Sequence, residues 1–373
     1  MKKVKTLHLA SFDGNIGDSA NHYGFYKYLQ QNNNFIFEID KLEIREFYWN
    51  HKKFDEEFVE LVNKYDFLII GGANFFELWV EDSPTGTSIA IELNLLEKIS
   101  IPILFNAVGI DSGQGVSEKN KKKFKKFLDL LIKRDDFISM RNDGSKETII
   151  KNIDIKYLNN IYHTVDAGFF IDVDNPTNYY LNKKYIAINI ASDMPDVRFK
   201  NISYKEVISS FKDFIHLFLK EHNNFEIVFI PHIYRDITFI NDIILTLDDS
   251  IRRRKVSIAP LLHGEDSFKE VMPIYKNAQL VLANRFHANV CSIGLEVPTI
   301  GLVNYRQIEK LYNELDSDNY VYINKKGFEK ELLNKISSNI SVYNLSQIKQ
   351  KYQLFHNNIS RWINNHKKFR NLK

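Results

Sequence analysis

An arginine and a histidine lie two residues apart in the stretch NRFHAN, residues 284–289, which separates two apolar runs. The run before it predicts a buried strand, and the run after it predicts a buried helix. Two cationic groups at one buried helix start are costly unless they meet an anion. The N–H groups that begin a helix also favour negative charge. Arg285 and His287 therefore predict a binding site for a small dianion.

Two more polar residues follow predicted strands, where a ligand could reach them, and a third, Asp166, lies at the hinge between the two halves of the chain. Arg141 comes directly after the apolar run FISM, and its planar donor fork suits a carboxylate or a phosphate unless it pairs with a neighbouring aspartate. Asp166 could accept a hydroxyl proton or pair with Arg141, and we favour the pairing slightly. His232 follows the run VFIP, and it is either a structural hydrogen-bonding residue or part of the site.

Two glycine-containing loops are further candidates for contact with a ligand. The loop DGNIGDSAN follows the first predicted strand, and Asp18 or Ser19 can cap the helix after it. Gly71 and Gly72 end another strand and would let a ligand approach the backbone. Each loop also fits a simple tight turn. The glycine spacing is not GxGxxG, so it does not support a dinucleotide-binding motif.

These candidate residues are positioned by a repeated pattern of apolar strands and amphipathic helices. Continuous apolar strands separated by helices are typical of parallel sheets covered on both faces, and ligands collect at the carboxyl ends of such strands. The sequence therefore predicts an α/β fold of two Rossmann-like domains facing across a cleft. Strands are predicted at 4–10, 65–70, 101–108, 137–140, 185–190, 225–230, 255–259, 279–283 and 298–303, and helices at 18–31, 117–133, 204–222 and from about 143 onwards.

The chain has 373 residues, which is longer than one hydrophobic core usually grows, so two domains are expected. The polar stretch at 171–184 is the natural joint between them. We therefore predict an N-terminal domain at 1–172 and a C-terminal domain at 173–340. Residues 341–373 are predicted to form a helical tail that packs back on the body, with Trp362 available to dock on a core.

The composition excludes several classes of protein. A formal charge of +3 is too small for a typical nucleic-acid-binding domain. The single cysteine, Cys291, excludes a disulfide framework and fits a buried thiol in a reducing compartment. No apolar run approaches the roughly 18 residues needed to span a bilayer, and the N-terminus lacks a signal-peptide core. We expect a cytoplasmic protein, with the lysine-rich stretch 118–127 as a weak option for contact with anionic lipid at the inner face of the membrane.

Seven short motifs, taken in order, resemble the polysaccharide pyruvyl transferase family. They are GNIGD, GGANFF, AVGI, SMRNDGS, DAGFF, PHIYRD and NRFHANVCSIGLEVPTIGLVNY, and they span residues 14 to about 306. The last motif is the most specific, because in that family an R-[LF]-H-[AS] stretch precedes a helix and then a strand, as Arg285 to Ala288 do here. The earlier motifs gain their weight from their order.

The resemblance implies a GT-B-like fold and transfer of the enolpyruvyl unit of phosphoenolpyruvate (PEP) to sugar hydroxyls, usually as a cyclic ketal, with no metal or other cofactor. The acceptor would be a cell-surface polysaccharide or its lipid-linked or nucleotide-linked precursor. It would bind on the N-terminal side, and PEP on the C-terminal side. A homo-oligomer is among the expected states.

The same resemblance implies roles for individual residues. Two arginines would clamp PEP, and a histidine, His287, would donate a proton to C3. The implied PEP-binding residues are Arg141, Asn284, Arg285 and His287, of which Arg285 and His287 are the catalytic candidates. The candidates for acceptor binding or for the general base, among which the sequence does not choose, are Asn15, Asp18, Gly71, Gly72, Asp166 and His232.

The sequence departs from the family pattern at three places, which leaves alternatives open. Asn142 stands where the family has an acid, Ala167 stands where it has proline, and NYRQIEK follows the last strand where the family often has Tyr-Asp-x-Lys. An inactive member that binds an anionic sugar is therefore one alternative. Another is a GT-B glycosyltransferase with Arg285 on the diphosphate of a nucleotide sugar, in which Glu296 would have to hold the ribose.

Overall fold

The computed structural model describes residues 2–31, 35–338 and 340–370 of the chain. The chain divides into two compact units. The first unit comprises Met1–Phe12, Phe25–Asp166 and Leu345–Lys373, and the second comprises Asp13–Gly24 and Ala167–Asn344. Each unit contains its own six-stranded sheet.

The first unit is built on a parallel sheet, three strands of which are buried at every residue. Its strands are β1 (Lys2–Ala10), β2 (Phe35–Glu43), β3 (Phe67–Gly71), β4 (Phe76–Glu77), β5 (Ile103–Val108), β6 (Ile110–Asp111), β7 (Phe137–Met140) and β8 (Ile161–His163). The main sheet has the order β2-β1-β3-β5-β7-β8, and β4 pairs with β6 in a separate two-stranded sheet. The order changes direction between β1 and β3, which is where such sheets bind ligands.

The second unit is also built on a parallel sheet. Its strands are β9 (Tyr185–Asn189), β10 (Glu226–Phe229), β11 (Val256–Ile258), β12 (Leu280–Ala283), β13 (Thr299–Val303) and β14 (Tyr320–Tyr322). The order β11-β10-β9-β12-β13-β14 is the 3-2-1-4-5-6 order of the Rossmann fold. Its topological switch point lies between β9 and β12, so the loops that leave these two strands are the expected ligand-binding loops.

Helices connect the strands of both sheets. They are α1 (Ile16–Gln31), α2 (Arg45–Tyr48), α3 (Glu56–Val62), α4 (Leu93–Lys98), α5 (Glu118–Lys133), α6 (Ser145–Thr148), α7 (Asn178–Leu181), α8 (Pro195–Arg198), α9 (Tyr204–Glu221), α10 (Tyr234–Thr246), α11 (Asp249–Arg254), α12 (Ser267–Lys276), α13 (Phe286–Gly294), α14 (Arg306–Glu314), α15 (Phe328–Ser337), α16 (Ser346–Asn365) and α17 (Lys367–Arg370). The clearest sequence signal belongs to α9, where Ser203 and Glu206 form a capping box before a buried apolar face.

The α/β fold with parallel sheets and the predicted central strands are confirmed. The two-residue strands β4 and β6 were not predicted. Three strands of the six-stranded sheets were also not predicted, and all are at sheet edges: β2, β8 and β14. The last two are only three residues long, and β2 alternates buried and exposed residues over its first half instead of forming a continuous apolar run. The helix expected from residue 143 is only the short α6, which passes into one turn of π-helix at Ile149–Ile153.

The division into units differs from a boundary at residue 172 in two respects. Residues 13–24 belong to the second unit, because Ile16 and Ala20 pack in the same apolar core as Ala288 and Cys291. The C-terminal segment belongs to the first unit, where the indole N–H of Trp362 donates to the carbonyl oxygen of Asp135 at 2.9 Å. The position of these two segments along the chain therefore does not determine which of the two hydrophobic cores they pack against.

No helix within the described residues is both long enough and apolar enough to cross a membrane.

One buried histidine in the tail makes the first unit sensitive to acid. His356 on α16 is fully buried among the rings of Phe25, Tyr28, Tyr352 and Phe355. Neither of its ring nitrogens has a hydrogen-bond partner among the described residues. Burial lowers the pKa of His356 from 6.5 to about 3. The folded chain therefore holds this ring neutral under conditions in which the unfolded chain protonates it.

Replacing His356 with leucine should make the protein more resistant to acid. In the wild type, His356 becomes protonated below about pH 6.5 in the unfolded state but only below about pH 3 in the folded state. The free energy of unfolding therefore falls as the pH decreases between these two values. The expected loss by pH 4 is on the order of 3 kcal/mol, and it should be absent in H356L. Urea unfolding at pH 7, 5 and 4 measures it. The exposed His51 provides the control variant H51L, which should keep the wild-type acid dependence.

Candidate functional site

The switch point of the second sheet places Arg285 in a fixed backbone position. The N–H of Arg285 donates to the side-chain oxygen of Asn189 at the end of β9, at 2.9 Å. In return, the side-chain oxygen of Asn284 accepts from the N–H of Ala191 at 2.8 Å. These bonds join the loop after β12 to the loop after β9. Asn284, predicted as a ligand-binding residue, here fixes the geometry of the two loops.

The side chain of Arg285 lies between two carboxylates. Its Nε donates to Oδ2 of Asp236 at 2.8 Å, and its Nη2 donates to Oδ1 of Asp236 at 2.5 Å and to Oδ1 of Asp193 at 2.8 Å. Burial lowers the pKa of Arg285, but the two carboxylates outweigh it and hold that pKa above the usual value. The anionic partner that the sequence required is therefore supplied within the protein itself.

A second arginine completes the network. Arg198 ends α8, is buried, and pairs through Nη2 with Oδ2 of Asp193 at 3.3 Å. Burial raises the pKa of Asp193, but Arg285 and Arg198 together lower it to about 2. We call Asp193, Arg198, Asp236 and Arg285 the arginine–aspartate cluster. Its two positive and two negative charges balance, which allows these groups to lie largely out of water.

Asp236 connects this cluster to the loop after β10. It is fully buried, and its Oδ2 accepts hydrogen bonds from the N–H groups of His232 at 2.9 Å and Ile233 at 3.2 Å. Because Asp236 lies in the first turn of α10, the same bonds cap that helix. One carboxylate therefore fixes both the loop after β10 and the guanidinium that follows β12.

His287 lies in the first turn of α13 and pairs with an aspartate from the start of α1. Its Nδ1 is 3.2 Å from Oδ1 of Asp18. Gly17 permits the approach, because a Cβ at this position would lie 2.4 Å from Cβ of His287. The expectation that Asp18 or Ser19 caps the helix is wrong, because α1 begins at Ile16, and the side-chain oxygen of Asn15 accepts from the N–H of Gly17 at 3.0 Å. Asp18 thus contacts the imidazole directly and can orient it.

His232 is also part of this region of the second unit. It is fully buried, and burial, followed by the charges of Arg285 and His287, lowers its pKa well below 6.5. Its Nε2 lies 2.9 Å from the hydroxyl of Tyr275. The structure thus brings together four predicted residues in one unit: Asp18, His232, Arg285 and His287.

Arg141 lies in the first unit and is held by carboxylates. Its Nε donates to Oδ2 of Asp143 at 2.8 Å, and its Nη1 is 3.6 Å from Oδ2 of Asp166. The pairing of Arg141 with Asp166 that the sequence left open is therefore present. Asn142, which replaces the family acid, accepts from the N–H of Asp166 at 3.0 Å, so its amide oxygen provides the acceptor that this backbone group needs.

The glycine pair of the first unit has a packing role. Gly71 has φ of +148°, and a Cβ here would lie 2.1 Å from the carbonyl oxygen of Asn106. The N–H of Gly72 donates to the same oxygen at 2.9 Å. Close approach of β3 to β5 therefore requires a residue without a side chain at position 71, whatever ligand the loop meets.

An acid–base candidate that the sequence did not reveal lies at the end of β4. Burial raises the pKa of Glu77 to about 7, and the nearby charge of Asp111 adds to this, although a hydrogen bond from the hydroxyl of Ser88 opposes it. A carboxyl group with this pKa exchanges protons readily at neutral pH. No sequence signal marks it, because its environment depends on the pairing of β4 with β6.

The partners of Arg285 were also missed, although one of them had a signal. Asp236 is the last residue of the motif PHIYRD and occupies the first turn of a helix, where an aspartate commonly caps. Asp193 lies in an irregular loop, and no pattern distinguishes it. Within the described residues, no group of three histidine, cysteine or acidic side chains is arranged to hold a metal ion.

Replacing Asp236 with alanine should destabilise the second unit by about 3–5 kcal/mol, because a buried arginine loses its bidentate partner and two backbone N–H groups lose their acceptor. Chemical denaturation monitored by circular dichroism measures the loss. The matched control is D249A, which removes an exposed aspartate that pairs with Arg253 and should change stability by less than about 1 kcal/mol. Equal losses in the two variants would contradict the central role of Asp236.

Replacing Gly17 with alanine should displace His287, because the new methyl group would overlap Cβ of that residue. We expect activity to fall by about 10–100-fold, as small misplacements of a reacting group do, together with a loss of thermal stability, because the backbones of α1 and α13 must also move apart. The control is Gly14→Asn, since a Cβ at Gly14 meets nothing within 4 Å and asparagine tolerates its φ of +79°. Unchanged activity in G17A would mean that the position of His287 is unimportant.

Comparison with solved structures shows the same fold in enzymes of low sequence identity. The UDP-GlcNAc 2-epimerase of Methanocaldococcus jannaschii is 12% identical, with a TM-score of 0.58 and coverage of 98% of this chain and 100% of that one. The UDP-GlcNAc 2-epimerase of Neisseria meningitidis, solved with UDP-GlcNAc, is 10% identical, with a TM-score of 0.58 and coverage of 96% and 100%. These are GT-B enzymes, so the predicted GT-B-like fold is confirmed.

Comparisons of sequence identify the family. No curated protein is significantly similar to the chain. The family model for polysaccharide pyruvyl transferase, in contrast, matches residues 15–306, which include α1, every strand of both sheets except β1 and β14, and the whole arginine–aspartate cluster. A match of this extent means that the chain belongs to the polysaccharide pyruvyl transferase family.

Proposed function

We propose that the protein transfers the enolpyruvyl unit of PEP to two hydroxyls of a sugar and so forms a cyclic ketal. The observation that carries this proposal is the guanidinium of Arg285 at the switch point of the second sheet, two residues before His287. Its Nη1 makes no hydrogen bond to any described residue, and 12% of the side chain is exposed. This nitrogen is therefore the donor left to meet an anionic ligand.

The start of α13 supports an anion at the same place. Arg285 occupies the N-cap position, and its side chain does not cap the helix. The helix dipole gives this start a partial positive charge, which favours a phosphate or a carboxylate. PEP carries both groups on adjacent atoms, so one molecule can engage the guanidinium and the helix start together.

The ketal reaction requires one proton transfer to carbon and two from hydroxyls. His287 donates a proton to C3 of PEP, which becomes a methyl group, while the first sugar hydroxyl attacks C2 and gives up its proton. The bond from C2 to the phosphate oxygen then breaks, and the second hydroxyl attacks C2 and gives up its proton. One released proton returns to the histidine, and the other leaves with inorganic phosphate, so PEP and a diol give a ketal and phosphate.

The contact between His287 and Asp18 suits this proton transfer. A carboxylate beside Nδ1 favours the tautomer with its proton on Nδ1, and it stabilises the ring when it is protonated. Nε2 is then the nitrogen that exchanges a proton with the substrate. Asp18 therefore serves here as the orienting group, which leaves Asp166, His232 and the newly found Glu77 as candidates for the base that receives the hydroxyl protons.

The acceptor in this proposal is a cell-surface polysaccharide or its lipid-linked or nucleotide-linked precursor. Sugar hydroxyls arranged as a 1,2- or 1,3-diol can both reach one carbon and close a ketal ring. We place the reaction in the cytoplasm, where PEP is produced and where such precursors are assembled. No metal or other cofactor enters the proposed chemistry, because the proton donor and the anion clamp come from side chains.

The proposal predicts that Arg285→Ala and His287→Ala reduce PEP-dependent phosphate release by about 10²–10⁴-fold, since each removes a charge or a proton from the transition state. Purified protein is incubated with PEP and a glycan panel, and phosphate release is measured with the mass gain of the glycan. R285K, which keeps the charge but not the fork, separates loss of folding from loss of function.

The matched control is Arg253→Ala, because Arg253 is an exposed arginine of the same unit. It should leave turnover within about twofold of wild type, as surface charges generally do. Normal turnover in both R285A and H287A would remove the proposed site. Absence of any turnover by the wild-type protein on a panel of diol-containing glycans, despite binding of PEP, would instead identify an inactive anion-binding member of the family.

A further inference from the structure

The ring of His232 has one satisfied nitrogen and one unsatisfied nitrogen. The residue is fully buried, and its Nε2 lies 2.9 Å from the hydroxyl oxygen of Tyr275. Its Nδ1 has no hydrogen-bond partner among the described residues. Buried polar atoms are almost always paired in folded proteins, so an unpaired one next to a proposed site requires a physical reason.

The bond to Tyr275 determines which nitrogen carries the proton. A neutral imidazole has one N–H, and within the described residues His232 is the only hydrogen-bond partner of the Tyr275 hydroxyl. If Nε2 carried the proton, the phenol proton and Nδ1 would both be left unpaired. If the phenol donates to Nε2, the proton of the imidazole is on Nδ1, and only that N–H is left. The second arrangement leaves fewer buried groups unsatisfied.

Both partners stay in the neutral forms that this arrangement needs. Burial, with the charges of Arg285 and His287, lowers the pKa of His232 well below 6.5, and the charge of Asp18 opposes this. Burial raises the pKa of Tyr275 well above 10. Near neutral pH the phenol therefore keeps its proton, and the imidazole carries only one.

His232 is also held rigidly beside Arg285. Its backbone N–H donates to Oδ2 of Asp236, the same oxygen that accepts from Nε of Arg285. The backbone of His232 and the guanidinium of Arg285 thus share one carboxylate as their anchor. A fixed, neutral N–H donor next to a guanidinium is an arrangement that suits an oxyanion, because it adds a directed hydrogen bond without adding charge.

We propose that the Nδ1–H of His232, held in this tautomer by Tyr275, donates a hydrogen bond to an oxygen of the anionic substrate, and that Tyr275 is a positioning residue for that bond. The proposal rests on the proposed function only for the identity of the anion as PEP. It also removes His232 from the candidates for the general base, because the nitrogen proposed to contact the ligand already holds its proton, and the other accepts from a phenol.

The tautomer is tested directly by ¹⁵N NMR of protein labelled at histidine, without any substrate. The His232 signals are those that disappear in His232→Asn. We expect a protonated Nδ1 and an unprotonated Nε2, with no titration between pH 8 and 5. In Tyr275→Phe the fraction with the proton on Nε2 should rise. A wild-type His232 that carries its proton on Nε2, or one that titrates near 6.5, would overturn the proposal.

Ligand binding is tested with the pair His232→Asn and His232→Gln. The amide of asparagine places an N–H near the position of Nδ1, whereas that of glutamine places it near Nε2. In calorimetric titrations with PEP and with inorganic phosphate, H232Q should weaken binding by about 10–100-fold, as the loss of a hydrogen bond to a charged group does. H232N should stay within about threefold of wild type.

The control for Tyr275→Phe is Tyr185→Phe, which removes another buried phenol of the same unit, one that donates to the carbonyl oxygen of Ile274 at 2.6 Å. Y275F should weaken anion binding by about 3–10-fold, whereas Y185F should leave the affinity unchanged at a similar loss of thermal stability. Equal affinities in Y275F and Y185F, or equal losses in H232N and H232Q, would reduce His232 and Tyr275 to a packing role.

Failure of this inference is distinguishable from failure of the proposed function. Phosphate binding that depends on His232 as described, in a protein that never turns over PEP, supports the inference and refutes the transfer reaction. Turnover of PEP by the wild-type protein, with unchanged anion affinity in H232Q, supports the transfer reaction and refutes the inference about His232.

Discussion

The buried carboxylate of Asp236 is the constraint on which the site depends. It accepts two hydrogen bonds from the guanidinium of Arg285 and two from the backbone N–H groups of His232 and Ile233. A buried ion pair adds little net stability compared with apolar packing, but it is strongly directional. Its value here is geometric, since one side chain fixes a loop, a helix start and an arginine relative to one another.

The strand order explains why these groups meet. In the second sheet, β9, β10 and β12 are the first, second and fourth strands in sequence, yet they are neighbours in space. Asp193, Asp236 and Arg285 are each located shortly after the end of one of them. Because all strands are parallel, the three loops emerge at one edge. Residues separated by up to 92 positions in the chain therefore form a single hydrogen-bonded cluster.

The sequence predicted what is local and missed what depends on strand order. The run before Arg285 and the helix after it are recognisable without a structure, so the position of Arg285 and His287 was predictable. From the sequence, the anionic partner of Arg285 was expected to be a ligand. Nothing in the sequence indicates that the loops after β9 and β10, which carry Asp193 and Asp236, lie beside the loop after β12. Edge strands such as β2 escaped for a related reason: an edge strand carries a weaker apolar signal than a central one.

For two residues, the sequence indicated the position of the side chain correctly but did not determine its contacts. Asp18 was expected to cap a helix, but the helix begins two residues earlier, and Asn15 supplies the capping oxygen instead. The aspartate then lies within reach of His287. Arg141 was a candidate for contact with a ligand or for pairing with an aspartate, and Asp143 and Asp166 both contact it. Both outcomes depend on where a helix starts and on side-chain positions to within a few ångströms, which the residue types alone do not determine.

The positive charge of Arg285 is neutralised by carboxylates of the protein itself, and this limits how the site can recognise an anion. With two guanidinium groups and two carboxylates, the arginine–aspartate cluster has no excess positive charge to attract an anion from a distance. An anion that binds here must instead gain its affinity from short, directed contacts: the remaining nitrogen of Arg285 and the Nδ1–H that we propose for His232. Such contacts depend on where the oxygens of the ligand lie, so they distinguish a phosphate and a carboxylate on adjacent atoms from an anion of equal charge and different shape. In the proposed reaction, an arginine whose charge is neutralised by carboxylates therefore favours selectivity for PEP over other cellular anions. The cost is a slower association, because the site does not attract anions from a distance.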